Sequence, residues 1–233
     1  GEYDYRLAVG TDNTQLGIDY TLTDVHIHDQ QTLTLSESGK FAATIHDSGA
    51  GTGSLSIAES GDITLTAQND YAGRTTVAGS LTAAAGALGQ TEWLHVSGTG
   101  TYENAGSNTV GGLTVESGAS LVLDDGTILA IDHDDVVGTD SSVAGIVSGT
   151  GTLAIEDGSL TVAAVVQDSG YDGNIALGSV AELLLQSDGL GTGTISLTSD
   201  ASGSSQIILD RDESTTLTND VSGDGIIRVD LGN

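Results

Sequence analysis

The side chains with chemistry to offer are few and scattered. Five His occur, at His26, His28, His46, His95 and His133, and no Cys accompanies them. His26 and His28 stand two apart on a stretch that reads as a strand, so they share a face; with Asp24 they hold donors that could ligate a metal. Paired polar residues on a solvated strand face are the commoner arrangement, and that is the reading adopted, with no metal and no cofactor. Asp124-Asp125 and Asp132-His133-Asp134-Asp135 are oxygen-rich turns of the kind that suits Ca²⁺, yet neither an EF-hand loop nor a glycine-rich Ca²⁺ nonapeptide is present, so they read as solvated corners. Ser, His and Asp all occur without a Gly-x-Ser-x-Gly elbow. Gly39-Lys40 lacks the upstream Gly and the following Ser or Thr of a phosphate loop. Carboxylate pairs for glycoside cleavage could come from neighbouring strands at any spacing. The surface for stacking sugars is thin, with one Trp and six Tyr, among them Tyr3, Tyr5 and Tyr20. The chain therefore reads as no enzyme, with a secreted polysaccharide lyase or glycosidase as the alternative.

Charge narrows the partners. The 233 residues carry 5 Lys+Arg against 33 Asp+Glu, a formal net charge of −28 at pH 7. Nucleic acid needs clustered cations, and Arg6, Lys40, Arg74, Arg211 and Arg228 are dispersed singly, so nucleic acid is excluded and an anionic membrane disfavoured. No window reaches the roughly 18 to 20 apolar residues of a membrane helix, and residues 1–10 hold no basic n-region or apolar h-region, so a signal peptide would lie outside this sequence.

The elements that must carry these residues are strands. Gly is 34 of 233 residues, while Pro, Cys and Met are absent, which removes disulfide scaffolds, thiol chemistry and Cys-based zinc sites. With one Trp and one Phe, the core is aliphatic. Leu113-Thr-Val115-Glu-Ser-Gly118-Ala-Ser-Leu121-Val-Leu123 alternates apolar and polar residues between glycine-bearing turns, and the same rhythm returns at Leu153-Ala-Ile155 with Leu160-Thr-Val162, and at Leu55-Ser-Ile57 with Ile63-Thr-Leu65. The eight apolar residues of the first two phrases are expected to point inward. Onset steps of 7 or 8 residues suit a solenoid: three short faces make a coil of roughly 20 residues, each strand stacking about 4.8 Å from its counterpart. The whole chain would then hold about 11 to 12 coils over an axis of about 55 Å. Gly-x-Gly elements at 51–53, 98–100, 149–151, 191–193 and 223–225 read as a slower repeat of the same stacking. The competing reading makes Asp125-Gly126 and Asp157-Gly158 hairpin turns of an antiparallel sandwich.

The stretch Asn69-Asp-Tyr71-Ala-Gly73-Arg-Thr75-Thr-Val77-Ala-Gly79-Ser-Leu81, followed by Ala87-Leu88-Gly89, resembles the passenger-associated repeat of bacterial autotransporters, departing from it at Arg74 and in the short gap from Val77 to Gly79. Tyr171-Asp-Gly173-Asn-Ile175 is a weaker echo. Tyr3-Asp-Tyr5-Arg6-Leu7 with Leu16-Gly17-Ile18-Asp19-Tyr20 is similar to a segment of adhesin-type passengers, and 113–123 has the rhythm of their stems.

The resemblance implies an all-β, right-handed parallel β-helix forming a single elongated domain over residues 1–233, in which Asn69, Tyr71, Gly73, Thr75, Gly79, Leu81, Leu88 and Gly89 are a structural repeat motif. It implies a surface-exposed stalk that mediates adhesion through repeated weak polar contacts. Its partners would be host or bacterial cell-surface molecules, self-association included. It implies export to the bacterial cell surface, anchored in the outer membrane or secreted. This sequence shows no series of roughly 10-residue barrel strands with aromatic girdles, so it reads as a passenger piece without the translocator barrel and without membrane insertion of its own. The resemblance also suggests a folding nucleus in residues 145–233, where Leu183-Leu-Leu185, Ile195-Ser-Leu197, Ile207-Ile-Leu209 and Ile226-Ile-Arg-Val229 are densely aliphatic.

Overall fold

A computed structural model describes residues 1–9, 16–133, 140–163, 170–186, 190–210 and 217–230, with side chains from residue 21 onward besides residues 1 and 2. Among them every regular element is a strand. Strands of 3 to 5 residues form because apolar and polar residues alternate over stretches that short before a glycine corner ends them. Successive strands turn onto successive faces of a three-sided solenoid. Leu113–Val115, Ser120–Leu123 and Ile128–Ile131 lie on the first, second and third faces, and Ser141–Val143 returns to the first, pairing in parallel with Leu113–Val115.

The first face is a ten-stranded parallel sheet running from Thr32–Leu35 to Ile226–Asp230, and the other two are six-stranded. The fold is a β-helix, as the alternation and the stacking step require. The sandwich is excluded, since Asp125-Gly126 and Asp157-Gly158 turn the chain between faces whose neighbours are parallel. Register holds one interior column through the first face, Leu35, Ile57, Val77, Val96, Val115, Val143, Val162, Leu185 and Leu209, and on the last described rung continues to Val229, which is exposed. All eight residues expected inward, from Leu113 to Val162, are buried. Stacking identical side-chain classes one above another removes each from water on both sides, which is how so thin a core becomes continuous.

Two expectations need correction. The longest face has ten described rungs, not 11 to 12, which at about 4.8 Å per step gives an axis of about 43 Å. The difference arises at the N-terminus, where Glu2–Val9 pairs antiparallel with Leu16–His28 and adds no coil, and in long coils such as that from Leu113 to Ser141. The Gly-x-Gly elements are corners but no coil repeat. Gly98-Thr-Gly100 joins first to second face, Gly149-Thr-Gly151 second to third, and Gly223-Asp-Gly225 third to first, so their spacing need not be a multiple of the coil. Each does two jobs. Gly149 adopts φ +98°, open to glycine at no cost, and Gly151 packs so close that a Cβ would stand 2.5 Å from the Asp124 carbonyl oxygen of the previous coil.

Candidate functional site

The motif residues come together as one coil, and they are structural. Asn69 is a bracket across three rungs: its Oδ1 accepts the Ile45 N–H at 2.8 Å and its Nδ2 donates to the Ala87 carbonyl at 2.5 Å. Tyr71 is fully buried, and a hydroxyl chain runs from its Oη to Thr75 Oγ1 and on to Thr91 Oγ1, 2.8 Å each, ending where Thr91 donates to the Leu88 carbonyl. Burial pushes the Tyr71 phenol up to about 12, so it stays a neutral link. Gly73 and Gly79 lie against carbonyl oxygens of the preceding coil, Gly53 for the one and Ala58 and Gly61 for the other, with no room for a Cβ. Leu81 and Leu88 fill the core, and Gly89 turns the chain at φ +63°. The echo at Tyr171 repeats this design: the ring is buried, its hydroxyl donates to the Asn174 carbonyl at 2.7 Å, and Gly173 packs on Gly151 as Gly73 does on Gly53.

The scattered His separate into two clusters and a surface pair. On the N-terminal coils, His26 stacks on His46 with ring centroids 5.3 Å apart, and the His46 ring lies between Asp24 Oδ1 at 3.1 Å and Asp70 Oδ1 at 2.7 Å. His28 hydrogen-bonds Ser48 instead, so Asp24, His26 and His28 do not converge; among the described residues no group of His and carboxylates has metal-site geometry. The missing partner was Asp70, 24 residues from His46 and visible only once coils stack. At the surface, Glu116 accepts the Gly98 N–H and pairs with His95 at 2.9 Å, and these contacts, the backbone one foremost, hold its carboxyl below the usual range.

The second cluster is a Ser–His–Asp arrangement that no motif announces. His133 Nε2 is 2.9 Å from Ser141 Oγ, its Nδ1 is 2.9 Å from the Asp157 carbonyl, and its backbone N–H donates to Asp157 Oδ1. The Asp157 carbonyl can only accept, so the imidazole donates to it from Nδ1, and the neutral ring is left with Nε2 to accept the Ser141 hydroxyl, whose Oγ also accepts the Leu113 N–H at 2.9 Å. Catalysis would require an accessible Oγ with the carboxylate on Nδ1; Ser141 has no exposure, and Asp157 Oδ1 is 3.8 Å from that nitrogen. The cluster closes the long coil that follows Leu113.

Of the acidic turns, Asp125 is exposed and Asp124 half-buried, its carboxyl raised by burial and then by nearby Glu103. Both lie at a corner as expected; Asp134 and Asp135 lie outside the described residues. Gly39 and Lys40 lie on the strand Ser38–Phe41 of the second face, with no helix beside them. A groove of about 520 Å³ follows the corner between third and first faces across several coils, lined among others by Thr52, Ala72, Gly89, Glu92, Thr109 and Asp132. Around it the outward face is regular. One side chain per rung on the first face forms the row Thr34, Ser56, Thr76, His95, Thr114, Ser142 and Thr161.

Fold and surface together define a β-solenoid whose first face presents a straight row made mostly of hydroxyl side chains. The chain is similar to an uncharacterized lipoprotein, YdeK, of Escherichia coli strain K12, 29% identical over 235 residues. That match takes in 97% of this chain but only 16% of the relative's length, so the chain spans about a sixth of the curated protein it matches. No protein-family model matches the chain, and no solved structure matches it.

Proposed function

We propose that this chain is a segment of the exported, surface-exposed stalk of an autotransporter passenger, and that it adheres to cell surfaces through the summed contacts of its outward rows. The observation that carries this reading is the outward row on successive rungs of the first face from Thr34 to Thr161, in which every side chain but His95 is a small hydroxyl. A hydroxyl pair contributes little alone, but groups fixed on a rigid lattice about 4.8 Å apart engage a repetitive partner such as a surface glycan together, so the second and later contacts are intramolecular. The similarity to a lipoprotein supports a location at a membrane or cell surface, and the motif at Asn69 to Gly89 supports the passenger reading.

The test is retention of fluorescent beads coated with the full chain on bacterial and epithelial cell layers under flow. Replacing Ser56, Thr76, Thr114 and Ser142 with Ala one at a time should lower retention slightly, and all four together should lower it more than the sum. Equal retention of the fourfold variant and the parent would refute the reading. The corner groove, with Glu92 and Asp132 on its walls, favours a second reading as a polysaccharide-cleaving enzyme. Release of reducing ends from acidic or neutral polymers, abolished in Glu92→Gln, would establish it.

A further inference from the structure

The N-terminal strand pair joins the solenoid at a fork. Leu16–His28 serves two ladders: residues 16–24 run antiparallel to Glu2–Val9, and residues 24–28 run parallel to Thr44–Ser48. Asp24 is the shared position, opposite both Glu2 and Thr44. Ladder ends open most easily, so whatever holds Asp24 sets how firmly the outer pair is fastened.

His46 holds it. Its two ring nitrogens face two carboxylates, Asp24 at 3.1 Å and Asp70 at 2.7 Å. An ionised carboxylate only accepts hydrogen bonds, so both contacts are attractive only when both ring nitrogens carry protons. A neutral imidazole would satisfy one Asp and turn a lone pair on the other. Protonating an Asp instead is the harder route, its ordinary pKa being about 3.9 against about 6.5 for the ring. We propose that the His46 imidazolium is a latch, tying the fork at Asp24 to the next coil at Asp70, and that loss of one ring proton opens it.

From the strand Leu16–His28, Asp24 and the stacked His26 face the ring, while His28 is engaged with Ser48. On His46's own strand, Asp47 is turned to the Gly53 and Ala72 N–H groups. From the next coil come Asp70 and neutral Asn69, which accepts the Ile45 N–H; Glu2 stands across the fork, and Asp29 is bound to the Gly51 N–H. Burial pulls the His46 pKa down, and the hydrogen bonds and charges of Asp24 and Asp70 outweigh it, so the ring titrates above its ordinary value. A His raised in the folded state stabilises fully below its unfolded pKa, and the contribution is lost as pH rises through the folded one. The latch is therefore closed in mild acid and opens toward alkaline pH.

The test follows the His46 ring signal by NMR in the full chain, alongside hydrogen exchange at the amides of residues 24–28 corrected for the intrinsic pH dependence of exchange. The His46 midpoint should lie above the ordinary imidazole value, and Asp24→Asn and Asp70→Asn should each lower it. Protection of residues 24–28 should fall as pH crosses that midpoint, about tenfold for each pKa unit of elevation. In His46→Gln, a substitution at a partly exposed position, protection should stay at the high-pH level throughout. A midpoint at or below the ordinary value, unchanged protection across the titration, or the same pH response in His46→Gln would overturn the proposal.

Discussion

Gly79 and Gly98 both sit at corners, and they are glycine for different reasons. Gly79 has carbonyl oxygens of Ala58 and Gly61 where a Cβ would go, whereas Gly98 has φ +62° and nothing within 4 Å. Asn tolerates the left-handed region and should separate the two cases. Gly98→Asn should change stability by less than about 1 kcal/mol, and Gly79→Asn should cost about 2 kcal/mol or more, since backbone of the preceding coil has to move. Urea midpoints of both variants check this; equal losses would mean that stacking distance does not constrain Gly79. At this scale Asn69, Tyr71 and the motif glycines were marked out by the family resemblance alone; the bracket, the hydroxyl link and the close approaches they make became visible only with the coils stacked. His133 with Ser141 and His46 with Asp70 were not legible, because both unions depend on which coil lies above which, and coil lengths vary too much for spacing alone to say.

Individual strands are held less by their own residues than by the rung on either side. Leu123 is fully buried at the end of Ser120–Leu123, in register with Asn104 below and Gly149 above, while its neighbour Val122 points outward. Leu123→Asp leaves an uncompensated charge in the interior and should cost about 3 to 5 kcal/mol. Val122→Asp should stay within about 1 kcal/mol, and guanidinium unfolding compares them. If the two variants unfold at the same midpoint, the inward assignment of this strand is wrong. Such alternation is readable from sequence because a strand has only two sides. The antiparallel pairing of Glu2–Val9 with Leu16–His28 was not readable, since those residues alternate much as solenoid strands do and nothing in them distinguishes a hairpin partner from a rung. That ambiguity, together with the long coils such as the one from Leu113 to Ser141, inflated the coil count.

Over the whole molecule, −28 charges on one body oppose association, so any self-contact should strengthen with salt or as pH approaches the sequence pI of about 4.1, which sedimentation can follow. Dissociation by salt would instead implicate ion pairs with the few cations. The interior is also uneven along its length. In the N-terminal part it holds polar networks: Tyr102 and Asn108 donate to Asn104 Oδ1, Asn104 donates to Thr127, and Asn108 accepts the Leu88 N–H, so one cluster spans several coils. Such a cluster is fully satisfied only when all its coils are in place, and half-formed it leaves buried polar atoms without partners. Beyond Gly145 the interior columns are largely aliphatic, with Leu153, Ile155, Leu160, Val162, Ile175, Leu183, Leu185, Ile195 and Ile207 all buried. There each added coil gains apolar burial and a row of backbone hydrogen bonds whether or not the coils beyond it have formed. We therefore expect residues 145–233 to fold as an isolated fragment that resists protease, and residues 1–144 to be the less stable half. Urea titration of the two fragments decides it: equal or greater resistance in residues 1–144 would show that the polar clusters, and not the aliphatic stack, seed the solenoid.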